Sequence, residues 1–104
     1  MNHIQIDARS LDMHRLITAK IHSNPALFNK VLPTILRWRN TVSPSSLPYL
    51  NEWETLVQQG MDTALAKATE DSESARALRQ STPFVGILTP KERFDFLKKW
   101  KYHG

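Results

Sequence analysis

Along most of this chain the apolar residues recur three and four positions apart, the spacing of one face of an α-helix. The first stretch differs. His3-Ile4-Gln5-Ile6-Asp7 alternates polar and apolar, which suits a short strand or an extended arm. Ser10 then stands where an N-cap belongs, with its hydroxyl able to accept an orphan N–H of the first turn. The helix it opens runs over about 11–22, and Leu11, Met13, Leu16, Ile17 and Ile21 form its apolar stripe. Asn24-Pro25 starts a second helix, Asn24 as cap and Pro25 at the first position, where a missing N–H costs nothing. Leu27, Phe28, Val31, Leu32, Ile35, Leu36 and Trp38 supply its stripe, and Pro33 inside it predicts a kink or two shorter helices.

Residues 41–48 (TVSPSSLP) form a turn-rich connector. A third helix follows from about Leu47, with Leu50, Trp53, Leu56, Val57, Met61, Ala64, Leu65 and Ala68 on its inner side. Gly60 is expected to weaken that helix by about 1 kcal/mol relative to alanine without ending it. The carboxylates of 69–73 suit the positive end of a fourth helix at roughly 73–80. STPFVGIL, 81–88, reads as an apolar loop pinned to the core. Thr89-Pro90-Lys91-Glu92 has the residues of a capping box with proline in the first turn. The fold this pattern predicts is all-α: a compact bundle of about five helices with a short extended N-terminal arm, forming one domain over 1–104.

Composition narrows the function more than it names it. The 104 residues are 40% hydrophobic and 23% charged, ordinary values for a globular chain. Cysteine is absent, which excludes disulfide scaffolds, thiolate zinc sites and thiol nucleophiles. The segment MNHIQIDARS has no apolar run of the signal-peptide kind, and no stretch approaches the ~20 apolar residues of a membrane span. A cytoplasmic protein that is not attached to a membrane is the expectation. The net charge of +4 is unevenly distributed: residues 1–42 carry +4, residues 43–74 carry −5 and residues 75–104 carry +5. An acidic middle between basic ends points either to internal complementarity or to a charged partner.

Catalytic constellations are missing from the sequence. His3, His14, His22 and His103 fall on separate segments or at solvated helix positions, with no metal-ligand spacing. Glu70, Asp71 and Glu73 form the only dense carboxylate group, and at a helix start such residues serve as caps. Gly60, Gly86 and Gly104 are scattered, so no phosphate-cradling loop exists. A non-enzyme without metal or cofactor is the expectation.

Two kinds of binding fit better. On a helical wheel Phe94, Leu97, Trp100 and Phe96 span about 160°, wider than the roughly 100° stripe that a surface helix needs. One side of that arc can pack on the core while Phe96 and Trp100 are left for a neighbour. Lys91, Lys98 and Lys99 lie opposite, partly neutralised by Glu92 and by an expected Asp95–Lys99 pair. The other kind is DNA binding. A short strand followed by helices loosely echoes a ribbon-helix-helix reader, with His3 and Gln5 toward bases and Arg9, Arg37 and Arg39 toward phosphates. Asp7, on the outward side of that strand, counts against it.

The segments IDARSLDMHRLI, PYLNEWETLV, EDSESARALRQSTPF and LTPKERFDFLKKW together resemble small bacterial helical proteins of toxin–antitoxin or defence loci. The resemblance spans the chain but carries no catalytic or binding motif. It implies a neutralising protein partner, a cognate toxin whose site an antitoxin covers. On that reading Trp53, Phe94, Phe96 and Trp100 are the anchors, and Arg76, Arg79, Lys98 and Lys99 steer the encounter. A self-assembling homodimer is the third reading.

Overall fold

The computed structural model describes residues 3–100, with side chains from Ile4 onward. Among them are six α-helices, two 3-10 turns and no strand, so the all-α class is as the spacing predicts. Helix α1 spans His3–Ser23 and buries Leu11, His14, Ile17 and Ile21, one residue per turn on a single stripe. The extended arm is therefore corrected to helix, and Ser10 lies inside α1 rather than at its cap. A five-residue alternation fits a strand, but Ile4, Ala8 and Leu11 are also spaced as a helical face. That face lines a cleft against the helix that follows residue 72.

Asn24 ends α1 through its N–H, which donates to Lys20 O and Ile21 O at 3.0 and 3.1 Å. Its side chain makes no capping bond. Pro25–Lys30 is a 3-10 turn, and α2 is Val31–Trp38. Pro33 thus falls in the first turn of α2, where its absent N–H leaves no ladder bond unmade, and the chain forms two short pieces instead of one kinked helix.

Helix α3, Leu47–Gln59, buries Leu50, Trp53 and Val57; α4, Met61–Ala68, buries Ala64, Leu65 and Ala68. The single third helix of the sequence reading is divided at Gly60, which accounts for the sixth helix. Gly60 has φ 132° and ψ 163°, a backbone conformation essentially reserved for glycine. A Cβ there would meet nothing within 4 Å, so the demand comes from the backbone, not from crowding. Replacing Gly60 with alanine is expected to destabilise the protein by roughly 1–3 kcal/mol. A glycine in mid-helix would give the opposite sign, and urea unfolding distinguishes the two.

Ser72 caps α5, Glu73–Arg79, by accepting the Ala75 N–H at 3.1 Å. Leu78 of α5 and the loop residues Pro83, Phe84, Ile87 and Leu88 are buried beside Trp53, so the loop is pinned as expected. Trp53 has no exposed surface; its indole N–H donates to Leu78 O at 2.8 Å and its ring meets Phe84 edge-on at 5.5 Å. No described helix is long and apolar enough to cross a membrane.

Candidate protein-binding surface

Helix α6, Pro90–Lys99, begins with the complete capping box: Thr89 Oγ1 accepts the Glu92 N–H, and Glu92 Oε1 accepts the Thr89 N–H. Glu92 is also the tether to α1. Lys20 Nζ donates to Glu92 Oε1 at 2.5 Å and to Ile87 O at 2.7 Å. These bonds, from Lys20 first and then from the Thr89 backbone, draw the Glu92 carboxyl down to about 2. At its far end α6 is joined to α1 again, where the Trp100 indole N–H donates to Asp12 Oδ2 at 3.1 Å. Arg93 approaches the sulfur of Met13 at 3.8 Å.

Held by polar straps at both ends, α6 contributes no buried residue. That is an unusual condition for a helix bearing two phenylalanines and a leucine and ending at a tryptophan, because burial of its apolar stripe is what normally stabilises a surface helix. Phe94 is 64% exposed, while Phe96, Leu97 and Trp100 are half-covered. Leu16 of α1, 40% exposed, joins Phe96 and Trp100 in an open groove of about 410 Å³. Glu92, Asp95 and Lys99 form its polar edge.

The arc thus divides differently from the wheel expectation. Phe94 faces outward, whereas Phe96 and Trp100 lean toward α1. The charges also pair differently: Asp95 accepts from Lys91 at 2.9 Å, not from Lys99. With Asp95 and Glu92 both engaged within the chain, Lys98 and Lys99 are exposed and without an ion-pair partner among the described residues.

Of the remaining sequence-predicted anchors, Trp53 is corrected. A side chain with no accessible surface offers nothing to a partner, and its indole bond is internal. Arg79 is corrected as well. Only 4% exposed, it donates from Nη1 to Ala68 O at 3.1 Å and Glu70 O at 2.8 Å, satisfying the carbonyl end of α4. Burial, and then the neighbouring Arg76, lowers its pKa. Arg76 lies within 3.4 Å of Asp71 and lines a separate cleft with Arg79, away from the α6 groove.

The DNA-reading geometry fails at its first step, because residues 3–7 are helical and provide no strand to pair in a groove. His3 has its side chain outside the described residues; Gln5 and Arg9 are half-buried on α1. Arg39 donates to Asn51 at 2.7 Å and to Glu54, while Arg37 is exposed on α2. His103 lies outside the described residues. Among those described, no three His, Cys, Asp or Glu side chains come together in a way that would hold a metal ion.

Sequence reasoning missed His14, read as solvated and found buried, and the strap residues Lys20 and Asp12. The partners that matter for the fold are 67 to 88 positions away, so no local spacing signals them. No known protein family, curated protein or solved structure matches the chain.

Proposed function

We propose that this chain is a protein-binding module whose α6 face docks an acidic, apolar segment of a partner protein. The observation behind this reading is that α6 carries Phe94, Phe96 and Leu97 without burying any of them. Aromatic side chains beside a groove are what interface cores are enriched in. The charge around them selects the partner: the acids of α6 are internally neutralised and Lys98 and Lys99 are not, so a complementary surface is negative. The resemblance to helical proteins of toxin–antitoxin loci supports an antitoxin-like form of this role, in which the partner is a toxin and docking covers or distorts its site.

The test is co-expression with the product of the adjacent gene, followed by size-exclusion chromatography of the pair. Co-elution is expected. Phe94→Asp is expected to weaken the complex at least roughly tenfold, the scale of a lost anchor. The double change Lys98→Glu, Lys99→Glu is expected to slow association on the order of tenfold and reduce its salt dependence. Both variants should keep the wild-type helical circular dichroism, since the substituted side chains are exposed. Separate elution of the two proteins, or a complex indifferent to Phe94, would overturn the reading.

A further inference from the structure

A second cleft lies between the N-terminal half of α1 and one face of α5, with Asp71 just ahead of that helix, and has a volume of about 360 Å³. It shares no residue with the α6 groove. Ile4, Ala8 and Leu11 supply an apolar wall, and four charged side chains, Asp7, Asp71, Arg76 and Arg79, supply the rest. The two more exposed ones stand within 3.4 Å of each other, Asp71 with the half-buried Arg76. The other two do not pair. Arg79 is 4% exposed and, among the described residues, has only carbonyl partners, and its buried Nε has no hydrogen-bond partner. Asp7 is half-buried and, among the described residues, makes no hydrogen bond or ion pair. It feels the Arg79 charge electrostatically without touching it.

Buried charges in proteins are ordinarily paired, because an uncompensated one keeps most of its desolvation cost. Here a cation and an anion line one cleft without forming an ion pair, with an apolar wall beside them. We infer that the cleft binds a small zwitterion with an apolar side chain, the chemistry of an α-amino acid such as leucine. Its carboxylate faces the Arg76–Arg79 end, its ammonium faces Asp7, and its side chain lies on Ile4 and Leu11. A simple anion satisfies only half of this arrangement and meets two carboxylates; a simple amine meets two guanidiniums. The volume lies within the range of small-molecule sites.

The experiment is a titration of the ¹⁵N-labelled full chain with L-leucine, 4-methylpentanoate and 3-methylbutylamine, followed by amide shifts. Leucine is expected to give saturable shifts confined to residues 4–11 and 71–79, with a dissociation constant on the order of 1 mM or below, as ligands of this size reach. Each half-probe should bind at least roughly tenfold more weakly, about one lost charged contact. Asp7→Asn, which breaks no hydrogen bond among the described residues, should erase the preference for leucine over 4-methylpentanoate. Arg76→Gln should weaken both carboxylate-bearing probes. No saturable shift with leucine would mean a hydrated cleft only and would overturn the inference. So would equal binding of leucine and 4-methylpentanoate, which would leave a plain anion site.

Discussion

Replacing Trp53 with alanine is expected to destabilise the protein by about 4 kcal/mol, the range for removing a fully buried tryptophan. Trp53 has no exposed surface and joins three elements: its own helix α3, Leu78 of α5 through the indole N–H, and the 81–88 loop through Phe84. Deleting it leaves a cavity where all three meet, and the surroundings close such a space only in part. Domains of this size have roughly 5–15 kcal/mol of stability in total, so the variant would be marginal or unfolded at 37 °C. Trp53→Phe separates the contributions. It keeps an aromatic edge for Phe84 and gives up the bond to Leu78 O, which still accepts the Ser81 N–H. Its expected cost is about 1–2 kcal/mol. Urea unfolding with an unchanged m-value measures both. A loss below 1 kcal/mol for the alanine variant would show that Trp53 does not organise this core.

The same residue shows how far the sequence could be read. Its place on an apolar stripe with Leu50 and Val57 was legible from spacing, because a 3.6-residue period states which positions share a face. Whether that face meets water or core is a tertiary fact, and listing Trp53 among docking anchors failed on it. The capping box at Thr89 and Glu92 was legible because capping is local chemistry over four residues. The pinned loop was legible too, since Pro83, Phe84, Ile87 and Leu88 have too much apolar surface to leave in solvent. The extended arm failed because five alternating residues are too short a window. The helical spacing of Ile4, Ala8 and Leu11 becomes visible only when the window is lengthened.

At the candidate surface, the aromatic arc was legible from spacing but its orientation was not. The contacts that orient α6 are Lys20 with Glu92, and Asp12 with Trp100. They join segments 72 and 88 positions apart. Each participant read singly is an ordinary charged residue or a helix-end tryptophan. Their pairing leaves Phe94 outward and gives the groove its floor of Phe96, Trp100 and Leu16. The surface thus follows from how the helix is strapped as much as from which residues it carries.

Acid is expected to weaken the fold well before most of its carboxylates titrate, and the cause is His14. The ring is 3% exposed, between Ser10 O at 2.7 Å and Thr82 Oγ1 at 2.8 Å. A carbonyl only accepts, so Nδ1 carries the proton and donates to Ser10, while Nε2 accepts from the Thr82 hydroxyl. Thr82 Oγ1 in turn accepts the Phe84 N–H at 3.2 Å, so this one imidazole links α1 to the loop that packs on Trp53. Burial is the main force holding the ring neutral and lowers its pKa from 6.5 to about 4; the bond to Ser10 opposes this, and the Arg79 charge on α5 adds to it. Arg93 of α6 lines the small crevice beside the ring and adds a further positive charge nearby.

The sign follows from which state binds the proton first. Between pH 6.5 and about 4 the unfolded chain protonates His14 and the folded one does not, so stability falls as pH falls through that window. The loss attributable to this group reaches about 3 kcal/mol and is fully absent above pH 6.5. Glu92, held down to about 2, acts in a lower window: its contribution is present above 4.5 and disappears as the pH approaches 2. His14→Leu removes the imidazole titration while filling the site with apolar volume. The variant should be less stable than the wild type at pH 7.5, because Thr82 loses its acceptor. The gap should shrink or reverse by pH 4. Urea midpoints at pH 7.5, 5.5 and 4 measure it, and parallel pH profiles for the two proteins would dismiss His14 as the source of the acid sensitivity.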